Sequence, residues 1–264
     1  MNTSKTLTYE QLEENKQKIL ELFRLNVKNK RADVAEANIG HDGKYGHWLE
    51  AAMGIARNNS NSPDLLGFEM KNTTQSKTSF GDWSADYRIY SKRSGGVMTQ
   101  GEFLRFFGQP NAKHQGRYAW SGRICPNKVG PFNEGGQKLL VDVKFNIHAI
   151  YSFSHDMRPD KDKIIPKEYQ KNLILATWSS ELMRRRVEDK FNQNGWFKCL
   201  TDPRTGIYTS IVFGEPITFS NWITYLDNGD VIFDSGMHEG NPRPYANWRA
   251  SNTFWNKLVT SRYS

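Results

Sequence analysis

At 264 residues, with 37% hydrophobic and 13% aromatic side chains, the chain can bury a full core, which excludes a disordered protein. No apolar run approaches a membrane span and no signal-type hydrophobic segment opens the chain, so a soluble, intracellular (cytoplasmic) protein without a membrane partner is expected. A formal charge of +8 favours a polyanionic partner, while two cysteines, Cys125 and Cys199, without metal-ligand spacing exclude a zinc finger or a disulfide framework.

Residues 8–29 place Leu12, Ile19, Leu22, Phe23 and Val27 on one helical face, with Thr8 positioned as the N-cap and Glu10 and Glu13 in the early turns. The glycine-punctuated stretch 41–46 is either a loop that lets backbone approach a phosphate or an ordinary turn. It leads into a second helix over 47–55, whose apolar face is Trp48, Leu49, Ala52, Met53 and Ile55, with Glu50 at the edge. The polar run 57–63 stops that helix. Beyond it, Leu66, Phe68 and Met70 alternate with Gly67, Glu69 and Lys71, the period of a strand. Glu69 and Lys71 therefore share a face, and Gly67 permits a bend that swings Asp64 towards it.

Three carboxylates gathered at one place repel, and leaving them buried and unpaired is costly. A hard divalent cation with oxygen ligands resolves the conflict, and Mg²⁺ keeps waters that can attack a phosphate. Taken singly, a Glu-x-Lys pair on a strand is a solvated face and a Pro-Asp is a turn. The order helix Glu50, loop, Pro63-Asp64, strand Glu69-x-Lys71 is what points to a metal site.

Residues 72–83 read as a polar loop in which Lys77 either touches DNA or is simply solvated; 86–91 reads as a strand and 100–107 as a helix. The stretch 111–136 is loop-rich and interleaves Lys113, His114, Arg117 and Arg123 with Tyr118 and Trp120. That pattern suits a DNA-backbone surface or, alternatively, a long hairpin of packed aromatics. Strands are expected at 139–145 and 147–153, with His148 packed in the second, followed by a charged surface connector at 155–164. This connector suggests a division into residues 1–155 and 156–264, which the resemblance given below makes a catalytic core and additional strand-helix and DNA-recognition elements. A strand at 173–177 precedes a helix at 179–192, capped by Ser179 or Ser180, in which the arginine run 184–186 reads as a solvated flank. Strands at 197–200 and 208–213, a helix at 218–226 and a strand at 231–233 follow. The last informative stretch, 234–255, reads as a polar, turn-rich loop carrying His238, Glu239, Arg243, Asn247, Arg249 and Asn252. Arginine reads guanine bidentately and asparagine can pair with adenine, and Pro242 and Pro244 would stiffen such a loop. The alternative is a polar hairpin held by Tyr245, Trp248 and Trp255.

The set Glu50, Asp64, Glu69 and Lys71 resembles the PD-(D/E)xK nucleases. Its compact Asp-x4-Glu-x-Lys form with an upstream helical glutamate is similar to the MutH-like branch, and within it to the MvaI/BcnI family of type II restriction endonucleases. The Glu50–Asp64 interval of 14 (64 − 50) matches that pattern. NGDVIFDSGMHEG followed by a polar loop and SNTFW resembles the family's C-terminal part. The resemblance implies an α/β fold, a mixed sheet flanked by helices, with a second lobe forming a DNA-binding cleft. It implies Mg²⁺-dependent, sequence-specific cleavage of double-stranded DNA with one or two ions. Glu50, Asp64 and Glu69 would be the metal carboxylates and Lys71 the catalytic lysine. His238, Arg243 and Arg249 would read sequence, with Asn247 and Asn252 as further base-contact candidates in the same loop. Lys77, Lys113, Arg117 and Arg123 are backbone-contact candidates from the composition of their own stretches, since residues 111–165 match the family poorly. The resemblance further implies action as a monomer, although the residues leave a dimer open. Two other readings stand beside this one: a MutH-type strand-nicking repair endonuclease, and a DNA-binding protein with an inactive nuclease-like site.

Overall fold

Thr8 does start the first helix: its hydroxyl accepts the Gln11 amide while the Gln11 side chain accepts the Thr8 amide, a reciprocal cap. The structure, a computed structural model, describes residues 8–34, 43–56 and 60–264. Parts of the expected loop at 41–46 and of the polar run at 57–63 lie outside the described residues.

In chain order the elements are α1 (Tyr9–Asn26), α2 (Lys44–Ala52), β1 (Glu69–Asn72), β2 (Lys77–Asp82), β3 (Tyr87–Arg88) and α3 (Gln100–Phe107). Then come β4 (Gln109–Asn111), β5 (Arg117–Trp120), β6 (Gly135–Val141), β7 (Ile147–Asp156), α4 (Lys161–Ile164), β8 (Leu173–Trp178) and α5 (Ser180–Phe191). The chain closes with β9 (Trp196–Thr201), β10 (Tyr208–Gly214), α6 (Phe219–Asp227), β11 (Val231–Ser235), β12 (Met237–His238), β13 (Ala246–Ser251), α7 (Asn252–Lys257) and β14 (Val259–Tyr263). The fold is mixed α/β with several sheets. No helix of the described residues is long and apolar enough to cross a membrane. Both cysteines are buried thiols.

The chain divides into two compact units, each assembled from separate segments. The first comprises residues 1–78, 186–219 and 251–264. Its sheet has the order β1–β9–β10–β14, with β1 parallel to β9 and the other pairs antiparallel. Met70 pairs with Phe197 in register, and both join Ile19, Phe23 and Leu49 in one apolar core, so α1 and α2 cover that face of the sheet. Each such fully buried side chain contributes about 1.5–3 kcal/mol. Alternation then sends Glu69, Lys71, Trp196 and Lys198 to the opposite face. Trp196 lies across Gly214 so closely that a Cβ there would sit 2.2 Å from its ring, which only glycine allows.

The second unit comprises residues 79–185 and 220–250. It holds the antiparallel sheet β3–β8–β7–β6 and the smaller sheet β12–β5–β4, and β11 pairs antiparallel with β13. Its centre is aromatic: Phe233 meets Trp120, Trp178 and Trp248 at 5.3, 5.0 and 5.2 Å between ring centroids. Trp222 adds a further edge contact to Trp248 at 5.2 Å.

Several local expectations change. The stretch 234–255 is not a loop: it holds β12, β13 and α7. Trp248 and Ala250 alternate inward against Asn247 and Arg249, and the polar outer half of that pattern reads as loop composition. Residues 77–82, expected in a polar loop, are strand β2. The strand expected at 139–145 ends at Val141 because Asp142 turns the chain, its Oδ1 accepting the amides of Lys144 and Asn146. The expected surface connector at 155–164 begins inside the unit: Asp156 is buried and held by Arg158 and by the Tyr151 hydroxyl.

Candidate active site

A two-residue turn builds the site. Leu65 and Phe68 exchange backbone hydrogen bonds, and the intervening Leu66 and Gly67 sit at φ 50° and 80°, the pattern of a type I′ hairpin turn. Glycine is at ease there, whereas leucine at positive φ costs about 1–2 kcal/mol. The turn returns Asp64 alongside β1, where its Oδ2 accepts the Met70 amide at 2.9 Å. Strand alternation aims Glu69 and Lys71 to one side, and their side chains meet at 2.8 Å through Glu69 Oε1.

The same oxygen receives a second ammonium, that of Lys190 on α5, at 3.0 Å. Glu69 is 3% exposed, and its other oxygen, Oε2, is buried without a hydrogen-bond partner. Buried carboxylate oxygens are normally satisfied, so this orphan marks a place for a donor or a cation. Burial, followed by the charge of Glu69, raises the Asp64 carboxyl to about 6, with Lys190 and Lys71 opposing the rise. Burial pulls the Lys71 ammonium below the usual lysine range, against the pull of Glu69. The Lys71 ammonium also lies 5.1 Å from the Phe191 ring centroid. Lys198, the register partner of Lys71 on β9, is lowered to about 8 by burial and then by Lys71. Glu50 sits on α2, which neighbours β1, but among the described residues no group of three or more acidic, histidine or cysteine side chains gathers as a cation site. The acidic centre is thus a pair, Asp64 and Glu69, with three lysines about it.

The remaining candidates distribute as follows. Arg249 and Asn247 lie on β13, and the Arg249 guanidinium donates to Asp234 at 3.1 Å. Arg243 donates to Asp82 at 3.3 Å and is mostly exposed. His238 is on β12, its Nδ1 at 2.8 Å from the Glu239 carbonyl. Lys113 and Arg123 are exposed on short 3-10 turns, and Lys77 is exposed at the start of β2. Arg117 opens β5, half-buried, with its Nε buried and unpartnered. Two stretches read separately from the sequence prove adjacent, since β12 pairs with β5 through Met237–Trp120 and His238–Ala119.

Residues 27–263 match the family model described as LlaMI restriction endonuclease. The chain belongs to this family. The type II restriction enzyme ScrFI of Lactococcus lactis subsp. cremoris is 46% identical over 266 residues, covering 93% of this chain and 97% of that protein. A solved structure of the restriction endonuclease MvaI–cognate DNA substrate complex matches 97% of this chain and 99% of its own with a TM-score of 0.60. At 12% identity that likeness is one of fold. The protein is a type II restriction endonuclease, a hydrolase of DNA.

Two lysines of the candidate site escape sequence reading. Lys190, in the helix expected at 179–192, is given no role by the sequence, yet it neighbours the buried Phe191 and follows the buried Val187 by three residues, which places it at the edge of the packed face. Lys198 interrupts a strand whose other early members, Trp196, Phe197 and Cys199, are all buried; a lysine in that setting is itself a signal. Asn252 has a structural engagement that polarity alone does not suggest. Its Oδ1 accepts from Lys198 at 3.0 Å and from the Thr78 and Thr74 hydroxyls at 2.9 and 3.1 Å. Its Nδ2 donates to the Thr74 carbonyl at 2.8 Å, so the whole amide is used within its own unit of the endonuclease.

Proposed function

We propose that this endonuclease cuts both strands of duplex DNA at a short recognition sequence with Mg²⁺ held by Asp64 and Glu69 and with Lys71 beside the scissile phosphate, in a core of the PD-(D/E)xK kind. The observation that carries the reading is the juxtaposition of Asp64, Glu69 and Lys71 at one strand, with Glu69 Oε2 buried and unpartnered. The donor set fits the ion: two carboxylates, both oxygen ligands and one with an unsatisfied atom, suit a hard cation that keeps its remaining positions for water and phosphate. When bound, Mg²⁺ would polarise a phosphoryl oxygen and make bound water more acidic.

The chain's own residues do the rest. The Lys71 amine, with its ammonium pulled low by burial, orients the attacking water and takes part in the movement of its proton. Lys190 and Lys198 add positive charge on the same face of the sheet, offsetting the charge that develops on phosphorus as one P–O bond forms and another breaks. Glu50, which is not gathered with the acidic pair, has an auxiliary place on α2 in this reading. Sequence reading falls to His238, Arg243, Asn247 and Arg249 of the second unit, with Arg249 oriented by Asp234 and Arg243 by Asp82. Lys77, Lys113, Arg117 and Arg123 supply backbone contacts, while Asn252 serves the fold of the first unit.

Digestion of a long, sequenced, unmethylated linear DNA tests this. Discrete fragments are expected with Mg²⁺ and none with EDTA. Intact linear DNA together with nicks in a supercoiled substrate would replace double-strand cutting by a strand-nicking activity. Intact DNA in both forms would reject catalysis.

A further inference from the structure

Outside the acidic pair, Arg105, in the last turn of α3, is an exposed cation of the second unit held by both a carboxylate and an aromatic ring. That helix buries Phe103, Leu104 and Phe107, leaving Arg105 to project from the opposite face with its side chain 59% exposed. Its Nη2 lies 2.7 Å from Glu239 Oε1, and its guanidinium carbon stands 4.5 Å from the Tyr118 ring centroid. Glu239 is itself tied down: its Oε2 accepts the Tyr118 amide at 2.8 Å, and its own amide donates to the Tyr118 carbonyl at 2.9 Å.

An ordinary surface ion pair contributes little and leaves both side chains mobile. Here the carboxylate is anchored to the backbone of β5 and the guanidinium plane rests against an aromatic ring, so the arginine's rotamer freedom is largely spent before any ligand arrives. Glu239 occupies one of its nitrogens, and the exposed remainder of the fork is left for another partner. A phosphate contact has no need of such restraint, since a flexible lysine serves it. A planar fork held in orientation matches the O6 and N7 acceptors of guanine. The strand beside it carries His238, a residue the proposed function already assigns to sequence reading.

We propose that Arg105 is a specificity-determining residue that reads a guanine edge of the recognition sequence, held for that contact by Glu239 and Tyr118. This rests on the proposed function above.

The test uses the recognition site mapped with the wild-type enzyme and a series of short duplexes in which each G·C pair of that site is changed in turn. Arg105→Ala is expected to lower cleavage of the intact site by about 10–100-fold and to lose discrimination at one G·C position. Arg105→Lys, which keeps the charge and most of the stem, should not restore discrimination there. Glu239→Gln should weaken it at the same position, since Glu239 acts by positioning Arg105. Unchanged melting temperatures separate these effects from misfolding, and should Arg105→Ala fold poorly, the Lys and Gln variants carry the test. Loss that is equal at every sequence and is restored by lysine would make Arg105 a phosphate contact and overturn the proposal. A variant indistinguishable from a cutting wild type would also overturn it while leaving the endonuclease reading intact. A wild type that cuts no DNA would instead remove the reading beneath it.

Discussion

Lys71→Ala should lower cleavage at the cognate site by at least about 10²–10³-fold, the scale of losing one preorganised cationic or donor group at a reacting centre. Binding of the same duplex should change by less than about threefold. The two outcomes separate because Lys71 is buried beside Glu69, its ammonium 5.1 Å from the Phe191 ring centroid, so that it can meet the reacting phosphate but adds little surface to the binding of the duplex. The fold should survive, because Glu69 retains a second ammonium partner in Lys190 and is not left as a lone buried charge. Cleavage rates and gel-shift affinities on one duplex decide the matter. Affinity lost in step with activity would make Lys71 a binding or structural residue.

Lys190→Met should have its largest effect on the protein without metal. Lys190 is 15% exposed and bonded to Glu69 at 3.0 Å, and it is the leading cation opposing the rise in the Asp64 carboxyl's affinity for protons. Removing it leaves two close carboxylates with Lys71 as the remaining counter-charge at Glu69. Breaking a buried pair outright costs about 3–5 kcal/mol; with one ammonium retained, a loss of about 2 kcal/mol is expected. For a chain of this size that corresponds to a fall of about 5 °C in melting temperature. Mg²⁺ should then raise the variant's melting temperature more than the wild type's, because the ion meets less competing positive charge beside Glu69. Thermal melts with and without Mg²⁺ read both effects. An unchanged melting temperature and an equal Mg²⁺ shift would remove Lys190 from the electrostatics of the pair.

The contrast between Lys71 and Lys190 shows how much of this site is legible in the chain. Asp64, Glu69 and Lys71 lie within eight positions, and local rules suffice to bring them together: strand alternation aims Glu69 and Lys71 to one side, and Gly67 makes the turn that returns Asp64. Lys190 and Lys198 arrive from more than a hundred residues away, through the parallel pairing of β1 with β9 and the packing of α5, which no local period encodes. Glu50 shows the limit from the other side, since its spacing suits the motif but spacing does not say which carboxylates converge. The 234–255 segment misleads for a compositional reason. Its inward residues are few, Trp248 and Ala250 among them, and the polar residues between them outnumber the signal of a strand. Asn252, polar and near Arg249, reads as a base contact until Lys198, Thr74 and Thr78 are seen to consume its amide. The α/β character was legible because most helices and strands are amphipathic; the sheet order was not, because β6, β7 and β8 of one sheet intervene between β1 and β9 of another.

The most direct test of the acidic pair as the cutting centre is Glu69→Gln, assayed against wild type on a duplex carrying the mapped site at one Mg²⁺ concentration. Glutamine keeps the size of the side chain and removes the charge that a cation requires. The account predicts that the variant binds the duplex as wild type does and leaves it uncut. Cutting at the wild-type rate, with the same dependence on Mg²⁺, would contradict it and place the catalytic centre elsewhere in the chain.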